Sequence, residues 1–358
     1  MHDDLEGFSH LVVCLVLLNA MEKNHISMEF INEQFSKIYD VSLPKLSKYN
    51  IKNFHLPCTA SQMIVILQYF GLLFGDLFDY DDDIWILFCN HKLFLNIILS
   101  PYYDKDVDID YFKFLVAAQL ETIYKYTDFN PKYKCKLHYI CHYPELYHYF
   151  SGLRYLWCMR SEAQHQVIKN ISRQCKNYNN VAFTCAKNFQ IQKALVVTHF
   201  MPHDLKEAKC SSIIKISSIL TTPEKIKLSN ILNVKFDSLG QICFSTTVLN
   251  FRGFHYKTPT LNKRYCLAIF KDSYIDLIMI SCIIKVTNKW VLICKKIKAT
   301  FSTHYNCYLC TILNDDTIFC MLSQHIVHQQ VPLMLYRGQL YASLKYHPYV
   351  DMLNEKSV

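Results

Sequence analysis

Apolar residues recur every three or four positions through most of the first 200 residues, which is the spacing of one face of an α-helix. Leu11, Leu15 and Leu18 form one such series, and a second series spans 28–38. This pattern predicts helices across 8–40.

Polar residues that cap helices mark where the next helices begin. Either Thr59 or Ser61 is predicted to cap an apolar helix that continues to Phe74. The acidic cluster Asp79–Asp83 predicts a loop whose last carboxylates begin the helix Ile84–Leu99, because negative charge is favourable at a helix N-terminus. Two further segments are predicted as a proline-bounded linker and as a helix, 41–57 and Asp110–Tyr126.

The segment after position 137 is rich in histidine and tyrosine and contains one proline. Pro144 disfavours the α region for Tyr143. The chain around His138 and His142 is therefore predicted to be extended, with both imidazoles buried and hydrogen-bonded. A helix would instead place these two histidines on one face, four residues apart. A chain break is predicted at 151–152.

A helical pattern resumes at Met159 and carries charged residues on one face. Glu162, His165 and Lys169 are three and four residues apart, so they share that face. A carboxylate near the start of a helix is a candidate metal ligand, and the competing interpretation is an ordinary solvated face. A second helix is predicted over 181–193.

After about Thr221 the chain is rich in β-branched and aromatic residues. The predicted strands are Val234–Leu249, Tyr265–Phe270, Leu277–Val286, Trp290–Ile297 and Asn306–Leu313. Turn formers follow them, as at 314–316, which favours a small antiparallel sheet or an open barrel. We therefore predict an α+β fold with a helical region at 1–200, a linker at 201–227, a β-rich domain at 228–347 and a tail at 348–358.

Composition excludes several classes of protein. The chain has 358 residues, 51% of them hydrophobic, which is ample for a buried core. Its 7 glycines form no G-x-G-x-x-G or G-x-x-x-x-G-K loop, which argues against nucleotide-binding enzymes of those kinds. The apolar run 11–18 follows an acidic leader, so secretion is not expected. No stretch approaches ~20 apolar residues, so a membrane span is not expected either.

The cysteines fit an intracellular protein, nuclear or cytoplasmic. Most of the 16 lie in apolar runs, where buried and reduced thiols are usual. His304, Cys307 and Cys310 form H-x-x-C-x-x-C, but a structural zinc usually needs four ligands. Cysteines facing neighbouring strands are the favoured interpretation there.

The net charge of +8 is unevenly distributed. Residues 1–110 contain 7 Lys and Arg against 16 Asp and Glu, whereas 130–195 contains 10 against only Glu145 and Glu162. Basic residues interleaved with tyrosine and histidine suit a phosphate backbone and exposed bases. A solubilising basic face is the alternative.

Five short blocks carry a resemblance to a known family. They are C-T-A-S-Q-M (58–63), F-G-L-L-F-G-D (70–76), L-H-Y-I-C-H-Y-P (137–144), W-C-M-R-S-E-A-Q-H (157–165) and L-Y-A-S-L-K-Y-H (340–347). In this order they resemble the downstream half of transposon-encoded proteins of the animal CACTA (En/Spm-like) group. The family is similar to DDE transposases, whose ribonuclease-H-like core holds two divalent metals with two aspartates and a later glutamate.

The resemblance implies a role for Glu162 as the third catalytic carboxylate and metal ligand. It also implies that the helices before Glu162 belong to a partial ribonuclease-H-like core with a helical insertion. The opening M-H-D-D-L-E-G resembles a block that lies inside family members, so the chain is expected to be truncated, with the catalytic aspartates upstream of Met1. Magnesium is implied only for an intact family member, and no cofactor is expected for this chain.

Two functions follow as expectations. The first is a truncated transposase-like protein, catalytically inactive alone, whose ancestral activity is metal-dependent DNA strand cleavage and transfer. The alternative is a domesticated, non-catalytic nuclear protein that binds DNA or chromatin. Either would bind DNA weakly and with little sequence preference, through Arg154, Arg160, His165, Lys169 and Arg173.

Overall fold

A helical amino-terminal part is followed by an antiparallel sheet, which confirms the α+β class. The computed structural model describes residues 3–38, 41–100, 109–127, 134–156, 159–175, 179–199, 212–233, 235, 242–251, 254–260, 264–270, 275–286, 289–321 and 328–345.

Helices account for nearly all the regular structure of the described chain before position 200. They are α1 (Ser9–Lys23), α2 (Met28–Ser36), α3 (Lys48–Lys52), α4 (Ala60–Phe74), α5 (Asp83–Leu99), α6 (Ile109–Tyr126), α7 (Lys134–Cys141), α8 (Tyr143–Phe150), α9 (Met159–Gln174) and α10 (Val181–His199), with α11 (Thr222–Leu232) beside the sheet. A π-helical turn at Asp4–Phe8 leads into α1.

Side-chain caps set the starts of α4 and α5. The Thr59 hydroxyl accepts a hydrogen bond from the backbone N–H of Gln62, and the Gln62 side chain accepts one from the backbone N–H of Thr59. This capping box identifies Thr59, and not Ser61, as the N-cap. Asp82 accepts from the N–H of Ile84 and caps α5, as the acidic cluster predicts.

Helices α1, α4 and α5 form the centre of the helical core. Two stretches, Asp4–Lys23 and Ala60–Leu77, are long and apolar enough to cross a membrane, contrary to the expectation from the sequence. They are 83% and 67% buried within the described protein, however, and a core helix passes the same test of length and composition. The two helices are weak evidence for a membrane.

The chain around His138 is helical, so the prediction of an extended segment was wrong. Pro144 is the second residue of α8, in the first turn, where a backbone N–H has no helical partner and proline is tolerated. His138 and His142 are exposed and not buried. The predicted break is confirmed, because Ser151 ends α8 in the left-handed conformation with φ of 53°.

Ten strands complete the described fold. They are β1 (Ser212–Lys215), β2 (Ile242–Thr246), β3 (Val248–Phe251), β4 (Phe254–Lys257), β5 (Arg264–Phe270), β6 (Ile275–Val286), β7 (Lys289–Ser302), β8 (Cys307–Met321), β9 (His328–Tyr336) and β10 (Gln339–Ala342). The order β6-β5-β9-β10-β8-β7 returns to β6, so six antiparallel strands close a barrel. Strands β1 and β2 extend it beside β6, and β3 pairs with β4 as a separate hairpin.

Strand β8 continues through the turn that the sequence predicts at 314–316. The pairing of β7 with β8 shifts there: Lys295 faces Thr317 and Ile297 faces Ile312, so 313–316 stand opposite Lys296 alone. The strand therefore continues with an irregularity in its pairing where the turn was predicted. The expected linker 201–227 also contains β1 and the start of α11, which pack against the barrel.

One apolar cluster fills the barrel, and three others pack against its outer surface. Its interior is lined from all six strands, by residues such as Cys266, Met279 and Val331. The β3–β4 hairpin covers one outer face and α11 covers another. The outer face of β8, β9 and β10 packs into the helical core through Cys307, Met334 and Tyr341.

Candidate nucleic-acid interface and buried polar clusters

Helix α9 begins at Met159, as the sequence predicts, and Glu162 is its fourth residue. The side chains of 159–164 lie outside the described residues, and these include the proposed metal ligand Glu162 and the proposed DNA contact Arg160. The role of Glu162 as a metal ligand is therefore still a prediction.

The rest of α9 carries a basic stripe, which consists of His165, Lys169 and Arg173. These three residues are spaced by four positions and are all exposed, so they form one line along the solvent side of the helix. Helix α9 packs on α10, where Ile171 and Cys185 are buried. The packing thus fixes which face of α9 is exposed.

Arg154, which was also predicted to contact DNA, makes a structural hydrogen bond within the protein. It lies in a short 3₁₀ segment, Arg154–Leu156, and its Nη1 donates a 3.1 Å hydrogen bond to the carbonyl of Leu99. That carbonyl is the last of α5, where a cation also complements the helix dipole. Arg154 therefore holds two elements together.

The aromatic residues between α7 and α9 divide into buried and exposed sets. Tyr143 and Tyr147 are buried in the helical core. Tyr139, Tyr149 and Phe150 are 52%, 80% and 46% exposed. The exposed rings precede the basic stripe in the sequence, and unstacked bases bind to such rings.

A buried polar chain joins Asp4 to helix α6. Ser9 Oγ lies 3.1 Å from Asp4 Oδ1 and 2.8 Å from His91 Nε2, and His91 Nδ1 lies 3.2 Å from Gln119 Oε1. The Gln119 amide donates to the carbonyl of Leu115. Burial raises the pKa of Asp4 to about 7 and lowers the pKa of His91 to about 3.

The direction of the hydrogen bonds between Ser9, His91 and Gln119 follows from the side-chain amide of Gln119. Gln119 Oε1 can only accept, so His91 donates from Nδ1 and accepts at Nε2 from the Ser9 hydroxyl. The Ser9 hydroxyl also donates to Asp4 Oδ1, so its single hydrogen is shared between the carboxyl and the imidazole. Burial raises the pKa of Asp4, and the hydrogen bond from Ser9 lowers it.

Asp4, Ser9 and His91 do not form a nucleophilic triad. In a triad the carboxylate orients the imidazole from Nδ1, whereas here Asp4 contacts the serine and Gln119 occupies Nδ1. All three residues are fully buried, at 0% exposure. The cluster is part of the core, and no local sequence signal links residues 4 and 91.

The H-x-x-C-x-x-C residues point to different places. His304 Nε2 donates a 2.9 Å hydrogen bond to the carbonyl of Gly75. Cys307 faces the helical core, and Cys310 faces the barrel interior. The two thiols therefore lie on opposite sides of β8 and cannot share a zinc ion in this fold.

The described residues do not fit a two-metal site. Among them no group of three or more His, Cys, Asp or Glu side chains is placed to hold a metal. Two carboxylates of the Asp79–Asp83 cluster form ion pairs instead: Asp82 pairs with Lys23 at 2.8 Å, and Asp83 pairs with Lys125.

The chain matches no protein-family model, no curated protein and no solved structure. The resemblance of the five sequence blocks to CACTA-type proteins is therefore a hypothesis that these comparisons leave open.

Proposed function

We propose that this chain is a transposase-like protein that binds DNA through the basic stripe of α9 and does not cleave DNA by itself. The observation that carries the proposal is the line of His165, Lys169 and Arg173 on the solvent side of the helix. The resemblance to CACTA-type proteins supplies the class of partner.

The charge distribution supports this position for the contact. Residues 130–195 hold 10 Lys and Arg against two acidic residues, whereas 1–110 is strongly acidic. A phosphate backbone approaching the protein is attracted to the first region and repelled by the second. Each phosphate neutralised by Lys or Arg releases counterions, so binding is weak, tolerant of sequence and steeply dependent on salt.

The ancestral reaction is metal-dependent strand cleavage and transfer, which needs a ribonuclease-H-like core with carboxylates from three positions. Only Glu162 carries a resemblance to one of them. A non-catalytic nuclear protein kept for DNA or chromatin binding would use the same basic stripe. Sequence upstream of Met1 separates the two: an open frame with two aspartates in strands favours the transposase, and a promoter favours the domesticated binder.

The test removes charge from the basic stripe and measures DNA affinity against salt. The variant is Lys169→Ala with Arg173→Ala, titrated against a short DNA duplex by fluorescence anisotropy from low to physiological salt. Loss of two phosphate contacts should reduce the slope of log affinity against log salt by about 1.8. Affinity at low salt should fall at least tenfold.

The matched control is Lys48→Ala with Lys52→Ala on α3. These lysines are also exposed and four residues apart, but they lie in the acidic part of the chain. The control should leave the slope unchanged. Equal slopes for the wild type, the α9 variant and the control would overturn the proposal. Arg154 is omitted because its loss would free the carbonyl of Leu99.

A further inference from the structure

Two exposed histidines face each other where α7 meets α8. His138 lies on α7 and His142 is the residue between the helices, with helical φ and ψ. Their Nε2 atoms are 3.2 Å apart, and the rings are nearly perpendicular with centroids 4.8 Å apart. The two nitrogens are hydrogen-bonded to each other at the protein surface, and the tautomers of the rings decide which of them donates.

This separation is the one that a shared metal ion requires. Zinc binds imidazole nitrogen at about 2.0–2.1 Å with tetrahedral angles, so two such nitrogens are about 3.3 Å apart. The i, i+4 spacing on a helix holds the two rings in register before any ligand arrives. Little rearrangement is therefore needed for both to bind one ion.

We propose that His138 and His142 form a binding site for a divalent transition metal of the zinc, nickel and copper class. With the metal bound, each ring carries its hydrogen on Nδ1, so both Nε2 lone pairs are directed at the ion. The hydrogen that joins the two Nε2 atoms in the metal-free pair moves to Nδ1 of its own ring. Imidazole donors select these metals over magnesium and calcium, which prefer oxygen. The site is thus independent of the metal that the family resemblance implies for Glu162.

The two histidines leave coordination positions open. In the described part of the chain no third His, Cys, Asp or Glu completes a group with them. Glu145, the one carboxylate of α8, lies 3.8 Å from Lys113 in an ion pair. Water, or a donor from another molecule, fills the remaining positions, which makes the bound metal exchangeable.

Zinc titration by calorimetry tests the site on the whole chain. The wild type should bind one zinc per chain at this site, and His138→Ala and His142→Ala should each weaken that binding at least tenfold, since each leaves a single imidazole. His148→Ala is the matched control, because this histidine is also exposed on the neighbouring helix. It should leave the affinity unchanged.

A second measurement identifies the ligand atoms. Copper bound to the wild type should show couplings to two imidazole nitrogens by electron paramagnetic resonance, and to one in either single variant. Both histidines are exposed, so circular dichroism should confirm that the variants fold. If the His138→Ala, His142→Ala double variant binds zinc as tightly as the wild type, or if Cys135→Ser alone abolishes binding, the assignment is wrong.

Discussion

The Tyr305 hydroxyl donates a 2.5 Å hydrogen bond to Asp76 Oδ1, which links the barrel to the helical core. Asp76 follows α4, and its other oxygen accepts from the Tyr336 hydroxyl and lies 2.9 Å from Arg337 Nη2. Burial, together with the hydrogen bond to Asp76, raises the pKa of Tyr336 to about 12. One carboxylate thus receives three donors from the barrel.

Asp76→Asn should weaken this junction. The amide NH₂ would face at least one of the three donors and the negative charge would be lost, so charge-assisted hydrogen bonds would be lost, at a cost of about 1–3 kcal/mol in the free energy of unfolding. Chemical denaturation measures the loss. Asp83→Asn is the control: Asp83 pairs with Lys125 at the surface, where an ion pair contributes about 0–1 kcal/mol. Equal effects of the two variants would contradict the role of Asp76.

Gly71→Ala should separate α4 from the barrel. A Cβ at this position would clash with the backbone oxygen of Tyr305, so the chain must shift. We expect destabilisation by about 1–3 kcal/mol or more, although alanine favours a helix over glycine. Ser61→Ala, on the exposed face of the same helix, should be neutral or stabilising. Denaturation followed by the fluorescence of Trp85, which donates to the carbonyl of His304, reports on the junction.

Asp4→Asn should stabilise the protein at high pH and not at low pH. The folded-state pKa of Asp4 is about 7, above its ordinary value of 3.8, so the wild type loses stability as pH rises between these values. Asparagine removes this loss. The gain should be below about 1 kcal/mol at pH 4 and on the order of 4 kcal/mol at pH 8. Asp3→Asn is the adjacent control, and an equal gain at both pH values would contradict the burial of a protonated Asp4.

His91→Gln should act in the opposite direction. The folded-state pKa of His91 is about 3, below the ordinary 6.5, so the wild type loses stability as pH falls from 6.5 towards 3. Glutamine cannot titrate, so the variant does not lose stability in this way as pH falls, although the substitution disturbs the contacts with Ser9 and Gln119. The measurement is the slope of unfolding free energy against pH from 6.5 to 4. If the slope of the variant is as steep as that of the wild type, His91 is protonated in the folded state over this pH range, and the prediction is wrong.

The chain should show no magnesium-dependent cleavage of DNA. A two-metal site needs carboxylates from at least three positions, and the resemblance to CACTA-type proteins implies such a role for Glu162 alone. A gel assay with supercoiled DNA and magnesium checks this, with Glu162→Gln as the matched variant. Cleavage that survives in Glu162→Gln would refute both the inactivity of the chain and the assignment of Glu162.

Local sequence signals determined most of the helices. Thr59 and Gln62 form a capping box within four residues, and Asp82 caps the helix that follows it, so both starts can be predicted from neighbours alone. The capping box of Thr221 and Glu224 is equally local and marks the start of α11. A linker and strands were predicted there from the sequence, and this helix was missed. Apolar periodicity likewise predicted α6 and the start of α9.

The tertiary structure decided whatever depends on residues distant in sequence. Barrel closure pairs β5 with β9 and β8 with β10, and no local pattern encodes those partners. Pro144 was misinterpreted because its effect depends on whether it falls inside a helix or in its first turn. The contact of Tyr305 with Asp76 and the chain from Asp4 to Gln119 join residues far apart in sequence, which only packing brings together. The basic stripe lies between these cases: its spacing is readable from the sequence, but its exposure depends on α9 burying Ile171 against α10.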